Sequence, residues 1–394
     1  MTNREREHAT LSFKKPECRG SVEETFFPWT LTVESFAKEG LPETITSKIL
    51  DIVNDSNSNE DALEKYLNVA WGEGILNFEK YFGFDSVRRI SFTLPFRRFD
   101  EKIIEETAEF VIKIDRTGRQ IKHYKETGHE EEYKQVITCE EDWKKLKDHG
   151  DRELAEHFTD EKIEKAYGSL RQGHQKGDYS IRLNLEGFFW TARELLGIEP
   201  HMFAFYDYPE MLHDINEYIL KVYLEKLTKV LDIIPADVVY IMEDLSGKTG
   251  PMISPKLFDE FVGSYYKRLI PALKSKGVGH VFVDTDGDFK KLIPNFIAAG
   301  VEGFLPMDVN AGMDIVAVRK EYPNLKFIGA FNKLFIAQGK EAIDKEFERI
   351  LPVIRQGGYI PGSDHQVAPS TSIEDYKYYI SKLKETMKEA GKDL

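Results

Sequence analysis

Short apolar runs alternate with amphipathic helical segments in this chain from residue 178 onward. The runs that resemble strands are 179–185, 237–242, 280–283, 303–307, 326–330 and 358–361. The helical segment 255–274 follows Ser254, a residue type that commonly caps helices. Strands that alternate with helices form parallel sheets, and this many repeats favour a closed barrel. The sequence therefore predicts an α/β fold of the (β/α)8 TIM-type barrel class.

The amino-terminal region differs from these repeats and contains one clear hairpin signal. Residues 109–114 and 119–124 alternate between apolar and polar side chains, and a turn with Gly118 joins them. We interpret this hairpin as an excursion on the rim of the barrel.

The length of 394 residues and the 41% hydrophobic content are sufficient for one large core. We predict a single barrel domain over 1–394, with helices and the hairpin excursion packed on the barrel in 1–150. The main strand and helix repeats are expected in 178–385.

Charge and cysteine content narrow the functional class. The net charge is -14, and no cluster of basic residues alternates with aromatics, so a nucleic-acid or membrane partner is not expected. A small-molecule substrate fits better. The two cysteines, Cys18 and Cys139, form no CxxC pair, which argues against a disulfide scaffold or a thiolate zinc site. No apolar run approaches about 18 residues, so we expect a cytoplasmic protein.

Polar residues follow nearly every predicted strand. In a (β/α)8 barrel these positions converge on one mouth, which is where active sites lie. They are Glu186, Glu243, Asp244, Asp284, Asp286, Asp308, Asn332, Asp364 and His365. Acidic caps of the following helices are a competing explanation for such residues.

Five of these residues are the candidate catalytic groups. Asp284 and Asp286 are two positions apart, so both side chains are expected to face the mouth. His365 follows Asp364 after the last strand, where an imidazole beside a carboxylate can deliver a proton. Glu243 is the remaining candidate. Each has a structural alternative in capping or loop hydrogen bonds.

Several motifs resemble the uroporphyrinogen decarboxylase superfamily. They are residues 253–258, 280–288, 311–314 and above all 357–365, with the sequence Gly-Gly-Tyr-Ile-Pro-Gly-Ser-Asp-His. The resemblance implies a distorted (β/α)8 barrel and covers about residues 180 to 385. The superfamily contains both tetrapyrrole decarboxylases and cobalamin-dependent methyltransferases, so kinship alone does not choose the reaction.

The resemblance is closer to the methyltransferase branch. True decarboxylases carry an arginine-rich amino-terminal motif that binds the porphyrinogen carboxylates, and this chain has no counterpart. The methyltransferases hold zinc with a His-x-Cys-Gly motif and a later Cys. In this chain Asp284 and Asp286 take the places of that His and Cys, and the final Cys falls near Asp364 or His365.

The resemblance therefore implies a divalent metal, zinc first, held by Asp284, Asp286 and His365, although oxygen-rich sites also suit Mg, Mn or Fe. It further implies methyl transfer between a small methoxy or methylamine compound and a corrinoid supplied by a partner protein. Two alternatives stay open. One is decarboxylation of a tetrapyrrole or smaller acid, and the other is a non-catalytic corrinoid- or porphyrin-binding protein.

Overall fold

A sheet of seven parallel strands forms the centre of the protein in the computed structural model, which describes residues 1–14, 20–54, 73–115, 118–126 and 129–390. The strands are β1 (Val87–Phe92), β2 (Lys102–Glu106), β3 (Phe110–Ile114), β4 (Gln120–Tyr124), β5 (Glu130–Lys134), β6 (Ser180–Glu186), β7 (Val238–Met242), β8 (Ser246–Gly247), β9 (Gly250–Pro251), β10 (His280–Asp284), β11 (Gly303–Leu305), β12 (Lys326–Phe331) and β13 (Tyr359–Ser363). The central sheet has the order β1-β6-β7-β10-β11-β12-β13, and every neighbouring pair is parallel.

Helices separate these strands along the chain. They are α1 (Asn3–Leu11), α2 (Thr30–Lys38), α3 (Glu43–Asn54), α4 (Glu73–Phe82), α5 (Glu140–His157), α6 (Asp160–Tyr167), α7 (Arg171–Lys176), α8 (Phe188–Leu196), α9 (Ile198–Asp207), α10 (Pro209–Val222), α11 (Thr228–Ile233), α12 (Pro255–Phe258), α13 (Ser264–Ser275), α14 (Ile293–Ala298), α15 (Ile315–Glu321), α16 (Lys333–Ile336), α17 (Lys340–Gln356) and α18 (Ile373–Ala390). Ser254 caps α12 as expected, because its hydroxyl accepts a hydrogen bond from the Leu257 N–H.

The six predicted strands are confirmed as β6, β7, β10, β11, β12 and β13. Strand β1 was not predicted, because its segment Val-Arg-Arg-Ile-Ser-Phe carries two arginines. Arg89 is nevertheless buried, and its guanidinium lies 2.9 Å from Oε1 of Glu79. An ion pair inside the protein therefore substitutes for the apolar side chain that a sequence pattern would require.

The predicted hairpin is confirmed as the β3–β4 pair, with Phe110 opposite Tyr124 and Ile114 opposite Gln120. Residues 116–117 of its turn, like Cys18, lie outside the described residues. The structure extends the hairpin to a four-stranded antiparallel sheet, β2-β3-β4-β5. The outer strands, β2 and β5, were not predicted. Strand β2 is exposed at every position, and its apolar and polar residues do not alternate.

An extended segment, residues 20–25, fills the seam between β13 and β1. The N–H and hydroxyl of Ser363 in β13 both donate to Oε1 of Glu24. On the other side, the Asp85 N–H donates to the Val22 carbonyl just before β1. A Cβ on Gly362 would lie 2.3 Å from Oγ1 of Thr25, so only glycine allows this close approach. The central sheet of the described residues thus has seven strands, with this seam segment, residues 20–25, beside them.

Strand alternation separates the inner and outer faces of the curled central sheet. Val238, Tyr240, Phe282, Leu305, Ile328 and Ile360 form one cluster with Leu11 of α1, while their strand neighbours join the outer core. Helix α1 covers the amino-terminal ends of the strands, where Nε of Arg4 and Nε2 of His8 each lie 2.7 Å from Oδ1 of Asp237. None of the helices described is long and apolar enough to cross a membrane.

Asp237→Asn is expected to lower the free energy of unfolding by about 3 kcal/mol, because it leaves the groups around a buried carboxylate without their counter-charge. Asp237 is 1% exposed and also accepts a hydrogen bond from His174. Although burial opposes its charge, hydrogen bonds from His174, His8 and Arg4 hold the pKa of Asp237 well below its usual range. The stability difference should therefore be full near pH 7 and shrink below about pH 4, where the unfolded carboxyl takes up its proton.

Urea denaturation at several pH values measures this difference. Asp232→Asn is the matched control, since Asp232 forms an exposed ion pair with Lys276 and should change stability by less than about 1 kcal/mol. Equal effects of the two substitutions would contradict the role assigned to Asp237.

Candidate active site

Asp284 ends β10 on the inner face of the central sheet. It is two residues beyond Phe282, which belongs to the interior cluster, so strand alternation directs Asp284 to the mouth as predicted. Among the described residues none donates a hydrogen bond to its carboxylate. Burial, together with the charges of Asp286 and Asp244, raises the pKa of Asp284 to about 8. This carboxyl is therefore largely protonated at neutral pH and can act as a proton donor.

His365 follows β13 and has a carboxylate near each ring nitrogen. Its Nε2 lies 3.2 Å from Oδ1 of Asp286, and its Nδ1 lies 3.7 Å from Oδ1 of Asp364. Burial of the ring opposes its positive charge, but the hydrogen bond to Asp286 and the nearby negative charges of Asp286 and Asp364 raise the pKa of His365 to about 10. The structure thus brings together three of the predicted residues, Asp286, Asp364 and His365.

Asp308, Asp364 and His365 form the tightest group of ligand-type side chains at the mouth. One donor atom of each lies within 4.8 Å of the other two, and the described residues contain no other such group of three. Asp364 is completely buried, and its oxygens accept hydrogen bonds from the backbone N–H groups of Lys333 and Val309. These two backbone hydrogen bonds orient the Asp364 carboxylate without any bound ligand.

This group of Asp308, Asp364 and His365 fits a divalent metal ion. Nδ1 of His365 is buried and has no hydrogen-bond partner among the described residues, so a ligand is needed to satisfy it. Two carboxylates and one imidazole suit zinc, and they also suit manganese or iron. The three side chains leave further coordination positions for substrate or water.

The predicted metal set of Asp284, Asp286 and His365 is not the set that the structure brings together. His365 is common to both sets, but Asp308 and Asp364 replace the two β10 carboxylates. The side chain of Asp286 is 47% exposed and contacts His365 from outside this group. The difference arises because the curvature of the sheet brings the ends of β11 and β13 together, which spacing along β10 cannot reveal.

Glu243 has a structural role rather than an open position at the mouth. It is 0% exposed, and its oxygens accept hydrogen bonds from the backbone N–H groups of Phe188, Phe189 and Trp190 and from the Tyr266 hydroxyl. Although these donors oppose the effect, burial raises the pKa of Glu243 to about 7. Through these contacts Glu243 caps helix α8, and its catalytic role stays a prediction.

Strand alternation explains the orientation of Glu243, because it follows Met242 on the face shared with Val239 and Ile241, which belong to the outer core. Gly187 permits the approach, since a Cβ there would lie 2.2 Å from Cδ of Glu243.

Three residues other than glycine have a positive φ angle at strand ends around the mouth. They are Asp244 (φ 41), Met307 (φ 61) and Ala330 (φ 63). L-residues rarely adopt this conformation, and such strain concentrates at functional sites. Asp244 is held by Arg193, whose Nη2 lies 3.0 Å from its Oδ2 and whose guanidinium covers the Trp190 ring.

Sequence reasoning placed Asp308 among the strand-end residues but not in the site, and it interpreted the aromatic cluster at 26–29 as a lid over the mouth. Asp308 resembles a helix cap, and its Oδ1 does accept a hydrogen bond from the Ala311 N–H. Phe26 lies just beyond the seam segment, and its ring stacks on His365 with 6.2 Å between ring centroids. The cluster of aromatic residues at 26–29 was the available signal for Phe26.

The comparisons with known proteins agree with this fold. A family model described as uroporphyrinogen decarboxylase (URO-D) matches residues 126–386. No curated protein matches the chain. A solved methyltransferase from Methanosarcina mazei matches with a TM-score of 0.57 and 14% identity, covering 98% of this chain and 99% of that chain.

Two further solved structures are more distant. A B12-independent methionine synthase from Shewanella sp. W3-18-1 has a TM-score of 0.40 and 12% identity, covering 81% of this chain and 85% of that chain. A putative vitamin-B12-independent methionine synthase from Listeria monocytogenes has a TM-score of 0.37 and 11% identity, covering 88% and 94%. At these identities a structural likeness shows the fold alone.

Asp286→Asn is expected to lower the pKa of His365 from about 10 by about one unit or more, because the ring loses a charged hydrogen-bond partner. NMR titration of chelator-treated protein measures this pKa from the imidazole protons. In the wild type the ring should keep its proton between pH 5 and about 9, since its pKa lies above that range. Asp288→Asn is the control, because Asp288 pairs with Lys290 instead. An unchanged His365 titration in Asp286→Asn would contradict the contact.

Proposed function

Because the chain belongs to the uroporphyrinogen decarboxylase (URO-D) family, we propose that it is a methyltransferase built on a complete (β/α)8 barrel. In this proposal it moves a methyl group between a small methylated compound and the corrinoid of a partner protein. The observation that carries the proposal is the group of Asp308, Asp364 and His365 at the mouth. The match in fold to the Methanosarcina mazei methyltransferase over nearly the whole chain is consistent with it.

The charge of the mouth favours methyl transfer over decarboxylation of a porphyrinogen. Asp244, Asp284, Asp286, Asp308 and Asp364 all belong to this region. Of the arginines, Arg193 is already engaged by Asp244. A substrate with many carboxylates would meet like charges here, because Arg193, Arg97 and His365 already pair with Asp244, Glu186 and Asp286. A neutral or cationic methylated compound avoids this cost.

The roles of the residues follow from their positions. Asp308, Asp364 and His365 would hold a divalent metal ion, which when bound supplies Lewis-acid polarisation of the substrate heteroatom. Asp284, protonated at neutral pH, donates its proton to the same heteroatom. Asp286 orients the His365 ring through the contact to Nε2.

In the proposed reaction the methyl group leaves the substrate without its bonding electrons. The methyl–heteroatom bond breaks, its electron pair stays on the heteroatom, and the Asp284 proton neutralises the leaving group. A reduced corrinoid on a partner protein supplies the nucleophile for the methyl group.

Asp308→Asn is expected to abolish both metal binding and methyl transfer, because it removes one charged ligand. Elemental analysis of protein purified without chelator should give about one divalent ion per chain for the wild type and a large loss for the variant. Methyl transfer to cob(I)alamin, assayed across methyl ethers and methylamines, should fall about 100-fold or more.

Asp314→Asn is the matched control, since Asp314 also caps a helix but pairs with Arg349 away from this group. It should retain both metal and activity. A folded, metal-free wild type would contradict the metal site, and carbon dioxide release from uroporphyrinogen without methyl transfer would contradict the proposed reaction.

A further inference from the structure

A cavity of about 180 Å³ lies between the segment that follows β5 and helices α8, α9 and α10. Its floor is apolar and buried, and consists of Ile137, Leu196, Ala204 and Met211. Cys139 and Tyr208 line its rim, where both are exposed. None of the lining residues belongs to the candidate active site. Because an apolar cavity of about 150 Å³ inside a protein can bind benzene, this cavity is large enough for a compact molecule.

The side-chain oxygen of Gln135 is a polar atom that this cavity leaves without a partner. Oε1 of Gln135 is buried, and no described residue donates a hydrogen bond to it. The amide packs against Gly197, where a Cβ would lie 2.6 Å from Cδ of Gln135. The hydroxyl of Thr138, which also lines the cavity, already donates to Oδ2 of Asp142. A ligand with a hydrogen-bond donor would therefore satisfy the Gln135 oxygen.

Backbone hydrogen bonds hold the walls of the cavity together. The Ile137 N–H donates to the Leu195 carbonyl at 2.9 Å, which fixes the segment after β5 on the end of α8. Gly197, with φ 82, turns the chain from α8 into α9, and its N–H donates to the Arg193 carbonyl. The cavity is thus formed by the fold itself, and a ligand can enter it without rearranging the helices.

We propose that this cavity binds a small neutral molecule with a compact apolar body and one hydroxyl group. The apolar body contacts Ile137, Leu196 and Met211, and the hydroxyl donates a hydrogen bond to Oε1 of Gln135. The inference goes beyond the proposed function, because the cavity shares no residue with the metal group at the mouth.

The charge of the lining selects a neutral ligand. Glu140 is the one charged residue among the lining residues, and it is exposed at the rim, where it repels anions. A cation would lose its hydration on the apolar floor without meeting a buried carboxylate. A hydrocarbon would cover the floor but leave Oε1 of Gln135 without a donor. A hydroxyl group on a compact apolar body satisfies both parts of the lining.

Phenol and toluene are the probes, because they have nearly the same size and shape and differ in the hydroxyl group. The methyl NMR signal of Met211, assigned with Met211→Leu, reports binding, since the ring current of either probe moves it. Titration of the wild-type protein should shift this signal with both probes and gives their two affinities.

Gln135→Met keeps the length of the side chain and removes the acceptor. We expect the ratio of phenol affinity to toluene affinity to fall about 3- to 10-fold, the fold-change that corresponds to one hydrogen bond. Comparing this ratio between proteins cancels the different hydration of the two probes. Gln172→Met is the matched control, because Gln172 is exposed on α7 and does not line the cavity. It should leave the ratio unchanged.

Cys139 provides a test that leaves the floor of the cavity unaltered. Reaction of the wild type with a bulky maleimide places a large group on the rim and should abolish the shift of the Met211 signal by phenol. Cys139→Ser treated in the same way should still bind phenol, which controls for reaction at Cys18. Mass spectrometry confirms which cysteine has reacted.

A Met211 signal that phenol does not move in the folded wild type would overturn the proposal. So would an unchanged affinity ratio in folded Gln135→Met, or full phenol binding after complete reaction of Cys139. If Gln135→Met fails to fold, the wild-type titration and the maleimide reaction still decide. None of these results depends on a metal ion or on methyl transfer, so failure here is distinguishable from failure of the proposed function.

Discussion

A buried guanidinium on the inner face of the central sheet holds the amino-terminal segment against the sheet. Arg182 of β6 is 1% exposed and pairs with both Glu7 of α1 and Glu23 of the seam segment, while also contacting the Tyr240 hydroxyl. Removing one partner from such a buried group costs about 3 to 5 kcal/mol, because the remaining charge stays buried and unpaired. Helix α1, the seam segment and the placement of Phe26 all depend on this anchor.

The second organising constraint is the concentration of carboxylates at the opposite end of the strands. Arg193 compensates Asp244, His365 compensates Asp286, and backbone N–H groups hold Asp364. Asp284 has no such donor among the described residues, and burial together with the charges of Asp286 and Asp244 raises its pKa to about 8. The mouth thus keeps a buried carboxyl group that a ligand can use.

Strand periodicity was enough to predict most of the sheet and the direction of Asp284, because alternation on β10 is a local property. It was not enough for β1, where Arg89 is buried because it forms an ion pair with Glu79 of helix α4, a contact that strand alternation does not reveal. The capping contacts of Glu243 were not predicted for a related reason. Its amide donors belong to the preceding repeat, and one residue beyond Met242 turns the side chain to the outer face.

The candidate site shows the same limit of prediction from local sequence patterns. His365 and Asp364 could be recognised beside the last strand, but the choice of Asp308 depends on how β11 and β13 converge across β12. Phe26 depends on the path of the seam segment, which carries no regular pattern. The sequence therefore predicted which residue types lie at the strand ends. Which of them form one site depends on the curvature of the sheet.

The central claim is that Asp308, Asp364 and His365 bind a divalent metal ion, and anomalous diffraction from zinc-loaded crystals tests it most directly. We expect a single strong peak about 2.0 to 2.2 Å from one atom of each of these residues, with room for a further ligand. A peak between Asp284 and Asp286 instead, or no peak at the mouth in fully loaded crystals, would contradict the account.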